Sequence, residues 1–470
     1  MLHFLGFILF VIGAVMSAPI PIAVAVGEGF LVPYFLIPAV VAFAIGVLLQ
    51  RFPRAELSLG NAMVLVTLAW ILLSLFGSVP YMFGNNMSFI DSYFESMSGF
   101  TATGLTMISG PPGAPPHTLL PCPQTILLWR SLTEWVGGMG VIVLFLAALL
   151  GAGKAARKMY VAEARAERIE PSIRETARSL WKIYVLLTII GIIGLYFTGM
   201  PLFDAVNHSM TGIATGGFTV RNTSFAGYGG PVLSIAIILM LAGAVSFAVH
   251  RKVMGGQWRE LFKNVEVQLM LTLIALVTII LVWSVGVQKA LFQSTSALTG
   301  TGFSTAALSG WGDLQKGMLT VLMVIGGGYG STSSAIKLIR TIIIVKAVLW
   351  LIKRSFLPER AVVPMKLAGR VYNESEIMET AIYAFIYVLV LVGGAIVLMM
   401  LGNPAMNAMF ESASAQGNVG LSVGITSAAM PAVGKVVFII QMLVGRLEIL
   451  PVIALASFFI SKVRPRPRAF

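Results

Sequence analysis

The sequence is short of charge, of cysteine and of any long polar stretch, and each shortage excludes something. Charged residues make up 11% of the 470-residue chain, against about 25% in a soluble globular domain. A chain that is also 57% hydrophobic is not built to be surrounded by water. A single cysteine, Cys122, rules out an intrachain disulfide framework. The first apolar run, "FLGFILFVIGAVMSAPIPIAVAV", contains "MSA", which resembles a cleavage site. Its start nevertheless carries no Lys or Arg, and a second apolar run follows at 30–50, so it reads as a retained helical hairpin. No large soluble domain or interaction tail is visible, which weighs against a non-conducting sensor or scaffold.

What is present is a succession of apolar runs of about 18 residues or more, each long enough to cross a bilayer as a helix. The expected fold is an all-α polytopic membrane protein. The formal charge of +13 does not indicate nucleic acid. All but five of the Lys and Arg residues fall in 51–54, 154–182, 251–263, 337–370, Arg446 and 462–468. The other five are Arg130, Arg221, Lys289, Lys316 and Lys435. Alternate connections are therefore basic, the positive-inside pattern, which places the basic loops and the tail "KVRPRPRAF" on the cytoplasmic side.

The chain also repeats itself. "FESMSGFTATGLT" begins at Phe94, "NHSMTGIATGGFT" at Asn207, "FQSTSALTGTGFS" at Phe292 and "FESASAQGNVGLS" at Phe410. Without gaps, all four place a glycine ten residues after the first: Gly104, Gly217, Gly302 and Gly420. Ser96, Ser209, Ser294 and Ser412 coincide, as do Ser98, Thr211, Ser296 and Ser414. Each block follows an apolar run (60–80, 180–200, 266–287, 379–401) and precedes another (124–150, 229–249, 316–350, 433–461). The unit is helix, half-helix with a polar glycine loop, then helix. Four such units around a pseudo-fourfold axis, after two N-terminal helices, give about ten full spans. The expected divisions are an N-terminal hairpin at 1–54, repeat 1 at 55–153, and a basic loop with repeat 2 at 154–263. Repeat 3 with an interrupted helix follows at 264–370, and repeat 4 with the basic tail at 371–470.

Irregular backbone at membrane depth is tolerated where it lines a water-filled path. Glycine adopts left-handed angles that turn carbonyl oxygens toward such a path, and a ring of carbonyls can replace part of the hydration shell of a monovalent cation. The half-helices would point their partially negative C-terminal ends inward, favouring a cation again. The candidate ion-binding residues are Thr101, Ala102, Thr103 and Gly104; Thr215, Gly216 and Gly217; Gly300, Thr301 and Gly302; and Asn418, Val419 and Gly420. Glu95 and Glu411 lie well before the glycines, so carbonyls rather than carboxylates are expected to coordinate. Glu134, Asp204, His208 and Arg130 are expected near the outer mouth, as cation-concentrating groups or as structural ones. No paired acid and base, metal-ligand cluster or nucleotide-binding loop accompanies the blocks, so an enzyme is not expected. The glycines of 326–330 lack the strand a dinucleotide site requires.

With "WVGGMGVIVL" (135–144), "GGGYGSTSSAIKLIRT" (326–341) and "MLVGRLEILP" (442–451), the four loops make the chain resemble the Trk/Ktr/HKT superfamily of potassium transporters from about residue 55 to the end. It looks most like a bacterial membrane subunit of the Trk or Ktr type. The two extra N-terminal helices favour the Trk branch, and "NVGLSVGIT" reads closer to the Ktr branch. The resemblance implies potassium uptake through a channel-like pore with one selectivity-filter glycine per repeat. Rb⁺ would be accepted and Na⁺ discriminated; Gly104 stands where sodium-passing relatives commonly carry serine. It further implies a homodimer in the bacterial cytoplasmic membrane and a cytosolic nucleotide-binding regulatory ring near the loops at 154–178 and 346–370. This chain itself would bind no cofactor. Contact of those loops with anionic lipid is an equal reading. A symporter coupling K⁺ to H⁺ or Na⁺ stays open.

Gly326, Gly327, Gly328 and Gly330, with Ser331 and Thr332, should unwind the run at 316–350, since each Gly costs about 1 kcal/mol in a helix interior. In the family the matching segment is the intramembrane gating loop. This sequence has Ser333-Ser334-Ala335 where relatives tend to read Ala-Gly-Gly, which should stiffen the end of the loop. Arg446 falls near the middle of the last apolar run, where a charge costs about 2.5–3.5 kcal/mol and normally faces a cavity or a partner. Glu448, two positions on, points to another face and cannot pair with it along one helix. Arg446 is left facing the cavity beneath the filter, as the family match suggests, or tying helices together through carbonyls of the gating loop.

Overall fold

The computed structural model describes residues 1–53, 57–108, 122–140, 173–358, 363–367 and 369–463. The features expected of 141–172, including most of the 154–178 loop, and of the tail from 464 lie outside the described residues. The described chain is almost entirely helical; its one sheet is a small antiparallel hairpin, Met365–Leu367 with Arg370–Tyr372. Among the described residues, six helices are long and apolar enough to cross a membrane on their own, or up to eight spans if each of two bent helix pairs counts as one. Two belong to the N-terminal hairpin. The other four open the repeats: Leu59–Gly84, Ile173–Phe197, Val265–Val285 and Glu374–Met400. The chain is a multi-pass α-helical membrane protein.

Polar caps set the starts of three of these four helices. Ser58 accepts from the Asn61 amide and Asn264 from Glu266 and Val267, while Asn373 and Glu376 form a capping box, so the first amides are paired before the apolar run begins. Each is followed by a half-helix: Phe89–Phe100, Leu202–Ile213, Val287–Thr299 and Ala405–Gly417. Their hydroxyl-rich inner halves are buried among the surrounding helices.

The second helices differ from the sequence expectation. Only the run at 316–350 carried an evident interruption, yet repeats 2 and 4 break as well. Gly230–Ala244 and Phe247–Met254 meet at 106°, and Ala432–Leu447 meets the next helix at 115°. In repeat 3, Asp313–Ile325 and Leu338–Ser355 flank the glycine-rich segment. In repeat 1, Gln124–Met139 ends at Gly140, whose φ is 96°. Partners distant in sequence make the unforeseen breaks possible. The freed Ala244 carbonyl accepts from the Gly328 amide (2.9 Å), and the Phe247 amide donates to the Gly330 carbonyl (3.1 Å). At the repeat-4 break Glu448 takes a left-handed φ of 59° and binds Arg340 at 2.5 Å. Arg446 therefore sits at the end of a helix rather than in the middle of one.

Candidate functional site

All four half-helices end in the same way. The residue eight positions after the block start is left-handed in each: Ala102 (φ 53°), Thr215 (52°), Gly300 (73°) and Asn418 (52°). Its amide turns back three residues, and the next amide turns back five: Thr103 to the Ser98 carbonyl (2.8 Å), Gly216 to Thr211 (2.9 Å), Thr301 to Ser296 (3.0 Å) and Val419 to Ser414 (2.9 Å). This pair of bonds is the Schellman C-cap. Three of the four left-handed residues are not glycine and each bears about 1–2 kcal/mol of backbone strain. Two residues after the first left-handed position comes a second, always glycine: Gly104 (81°), Gly217 (82°), Gly302 (83°) and Gly420 (91°).

These glycines close a ring. A Cβ on Gly104 would overlap the carbonyl oxygen of Gly216. On Gly217 it would overlap that of Thr301, on Gly302 that of Val419, and on Gly420 that of Thr103. The approach runs from repeat 1 to 2, 2 to 3, 3 to 4 and back to 1, so four loops from distant parts of the chain meet edge to edge. Hydroxyls support them from below: Thr101 lies 2.7 Å from Thr103, and Thr299 2.8 Å from Thr301. The Asn418 amide donates to Thr103 (2.8 Å) and to the Met442 carbonyl (2.9 Å), joining repeat 4 to repeat 1.

Polar groups behind the ring hold the chain that leaves it. Glu95 accepts from Thr106, the Met107 amide (2.7 Å) and Arg130 Nε (2.8 Å). Gln293 donates to Ser304 (3.0 Å). Glu411 accepts from Ser422 (2.5 Å), the Val423 and Ile425 amides, and Thr426 (2.6 Å). In the block register these pairs stand one and twelve residues after the block start in three repeats, so the aligned sequences carry a signal for the pairing. Arg130, Asp204, His208 and Glu134 are all buried, which makes them structural rather than cation-concentrating at an open mouth. Asp204 binds Arg221 and Tyr228. Lys435 binds Asp91 at 2.5 Å and Lys316 binds Asn407 at 2.9 Å, so these cations outside the basic loops are bound between repeats. Replacing Glu411 with Ala strands two amides and two hydroxyls. We expect a loss of about 2 kcal/mol or more, read as a lower melting temperature of the detergent-purified protein.

The segment 326–337 lies beneath the ring. Thr332 Oγ1 is within hydrogen-bonding distance of the Ile213 (2.9 Å) and Gly243 (2.8 Å) carbonyls and accepts from Thr215 of the ring (3.1 Å). Ser333 accepts from the Gly327 amide at 3.0 Å, folding the segment on itself. Glu266 anchors both flanks through the Tyr329 (2.9 Å) and Ile339 (3.1 Å) amides. Gly326 and Gly330 are left-handed, and so are Ala335 (68°) and Lys337 (79°). Ser333, at the alanine of that three-residue pattern, thus supplies a hydrogen bond within the segment, and Ala335 holds an angle that glycine would adopt without strain.

Arg446 reaches this segment across the centre. Its Nη1 donates to the Thr332 carbonyl at 2.7 Å and lies 3.4 Å from Ser334 Oγ. Its Nη2 donates to the carbonyls of Gly137 (2.5 Å) and Gly138 (2.6 Å). The guanidinium, half-buried, also borders a cavity of about 30 Å³ with Trp70, Gly330, Ser331 and Lys337. Arg446 thus ties repeats 1, 3 and 4 through backbone carbonyls and borders a small cavity. Glu448 does not pair with it and binds Arg340 instead.

Comparison with known proteins adds a family. A family model described as TrkH, cation transport protein, matches residues 34–287 and 283–462. An uncharacterized cation transporter of Methanocaldococcus jannaschii is 35% identical over 468 residues, 98% of this chain and 96% of the relative. The Trk system potassium uptake protein TrkH of Salmonella typhimurium is 33% identical over 444 residues, 88% of this chain and 89% of the relative. The crystal structure of the potassium transporter TrkH from Vibrio parahaemolyticus matches with a TM-score of 0.84 at 28% identity, covering 97% of each chain.

Proposed function

The chain belongs to the TrkH family of cation transport proteins, and from that premise we propose that it takes up K⁺ through a channel-like pore whose selectivity filter is the ring of four glycine loops. The observation that carries this reading is the ring's closure, with each glycine set against the carbonyl of the next repeat. Left-handed residues at alternate positions let successive carbonyls face the axis, where they replace water around a weakly hydrated cation. The ends of four half-helices add partial negative charge beneath it. The segment 326–337 acts as the gate and Arg446 as its latch. The basic connections put both termini in the cytoplasm of a cell whose cytoplasmic membrane holds the protein. A second copy and a cytosolic nucleotide-binding ring complete the assembly, the ring resting against the cytoplasmic loops that include the helix end and hairpin of 346–370.

The test is ⁸⁶Rb⁺ uptake into liposomes containing the purified chain, with K⁺ and Na⁺ as competitors. Uptake suppressed by K⁺ and poorly by Na⁺ is expected. Equal suppression by both ions would remove the filter from this account.

A further inference from the structure

Three residues before a glycine within or at the end of each second helix, the four repeats carry Glu134 (before Gly137), Met240 (before Gly243), Met323 (before Gly326) and Met442 (before Gly445). Gly137, Gly243 and Gly445 make equivalent approaches, to the carbonyls of Phe100, Ile213 and Gln416, each six residues into its block. All four residues at the earlier position are fully buried. In this register three repeats carry a buried methionine and the first carries a carboxylate. Nothing in helix packing asks for that exchange, because methionine fills the same space without the desolvation penalty of an acid.

What the carboxylate touches differs from what the other acids touch. Glu95 and Glu411 hold chain that has already left the ring, whereas Glu134 lies against the ring itself. Both of its oxygens reach the Phe218 amide, at 3.1 and 3.0 Å, immediately after Gly217. A Cβ on Gly216 would run into the Glu134 carboxylate, and one on Gly104 would come within 3.5 Å of its Oε1. The side chain therefore fills the seam between the loops of repeats 1 and 2 from behind. A thioether sulfur is at best a weak acceptor and could not hold that amide.

We infer that Glu134 is a positioning residue for ion discrimination: by holding the Phe218 amide it fixes the repeat-2 loop against Gly104, and so sets how tightly the ring fits K⁺ over Na⁺. The inference rests on the proposed filter. Arg130, which binds Glu95 and the Thr219 carbonyl (2.9 Å), braces the same seam one step further out. The seam between repeats 1 and 2 is then held by a carboxylate acceptor at a position where the same register in the other three repeats reads methionine, which makes the fourfold ring asymmetric.

The experiment compares the K⁺ over Na⁺ preference of wild type with Glu134→Met, Glu134→Asp and Glu134→Gln in the liposome assay. Glu134→Met copies the other repeats and removes the acceptor. Glu134→Asp keeps the acid but withdraws it by one methylene, which covers the case in which Glu134→Met does not fold. Glu134→Gln keeps an acceptor oxygen at the same reach. Both Met and Asp are expected to lower the preference by about tenfold, with the Gln variant restored to near wild type. A wild-type preference in either Met or Asp overturns the inference, as does a loss in Gln equal to that in Met. If wild type itself shows no preference for K⁺, the filter reading fails instead, and the two failures are distinguishable.

Discussion

Gly104→Ser is expected to lower the K⁺ over Na⁺ preference by about tenfold or more, with smaller loss of total cation flux. Two independent demands act at this position. The φ of 81° lies where an L-residue carries about 1–2 kcal/mol of strain. The added Cβ would also overlap the Gly216 carbonyl oxygen, and backbone cannot yield as a flexible side chain would. The Gly216 carbonyl belongs to the proposed ring, so relief of the overlap moves a coordinating group. The loop of repeat 2 is held from behind by Glu134 at the Phe218 amide, so the displacement cannot be absorbed outward. A control is available in Gly393, in the first helix of repeat 4, where an added Cβ meets nothing within 4 Å. Gly393→Ser should leave both flux and preference unchanged. A Gly104→Ser protein that folds and retains wild-type preference would show that the ring is not where ions are distinguished.

The ring could be found in the sequence because its demands fall on residue type. A left-handed residue pressed against a neighbouring carbonyl admits only glycine, so four such places leave four glycines in one register. The hydroxyls of the half-helices recur for a related reason, being buried positions that face backbone rather than lipid. The breaks in the second helices left no such mark. Val245, Ser246, Glu448 and Ile449 are unremarkable as helix residues, and what stabilises their irregular backbone arrives from elsewhere: Gly328 and Gly330 in one case, Arg340 in the other. Partners of that kind are separated by about a hundred residues and have no local signature. The same limit applied to Glu134. Its neighbours in sequence suggested a helix end near the outer mouth, and only the third dimension puts it against Gly216. Its oddity was nonetheless visible, as the one residue out of four that was not methionine.

Replacing Arg446 with Gln is expected to raise K⁺ flux by an order of magnitude or more while leaving K⁺ over Na⁺ preference near wild type. Two contributions act in the same direction. The first is the latch. The guanidinium holds the Thr332 carbonyl of the proposed gating segment and, on its other nitrogen, the carbonyls of Gly137 and Gly138. A charged donor is worth about 1.5–3 kcal/mol per bond, and glutamine, shorter and neutral, cannot span both sides. The second is charge. A unit positive charge ~6 Å from a passing cation opposes it by about 3 kcal/mol at an effective dielectric of ~20, and Arg446 borders the central cavity. Loss of either lowers the barrier beneath the filter, and neither touches the carbonyls that would distinguish ions. Arg446→Lys divides the two: it keeps the charge but, with a single ammonium in place of a planar fork, cannot hold both pairs of carbonyls. Flux in the Lys variant close to that of Gln would assign closure mainly to the latch, and flux close to wild type would assign it mainly to charge. A fall in flux in Arg446→Gln, in protein shown to be folded, would mean that the contact supports the open pore rather than the closed one.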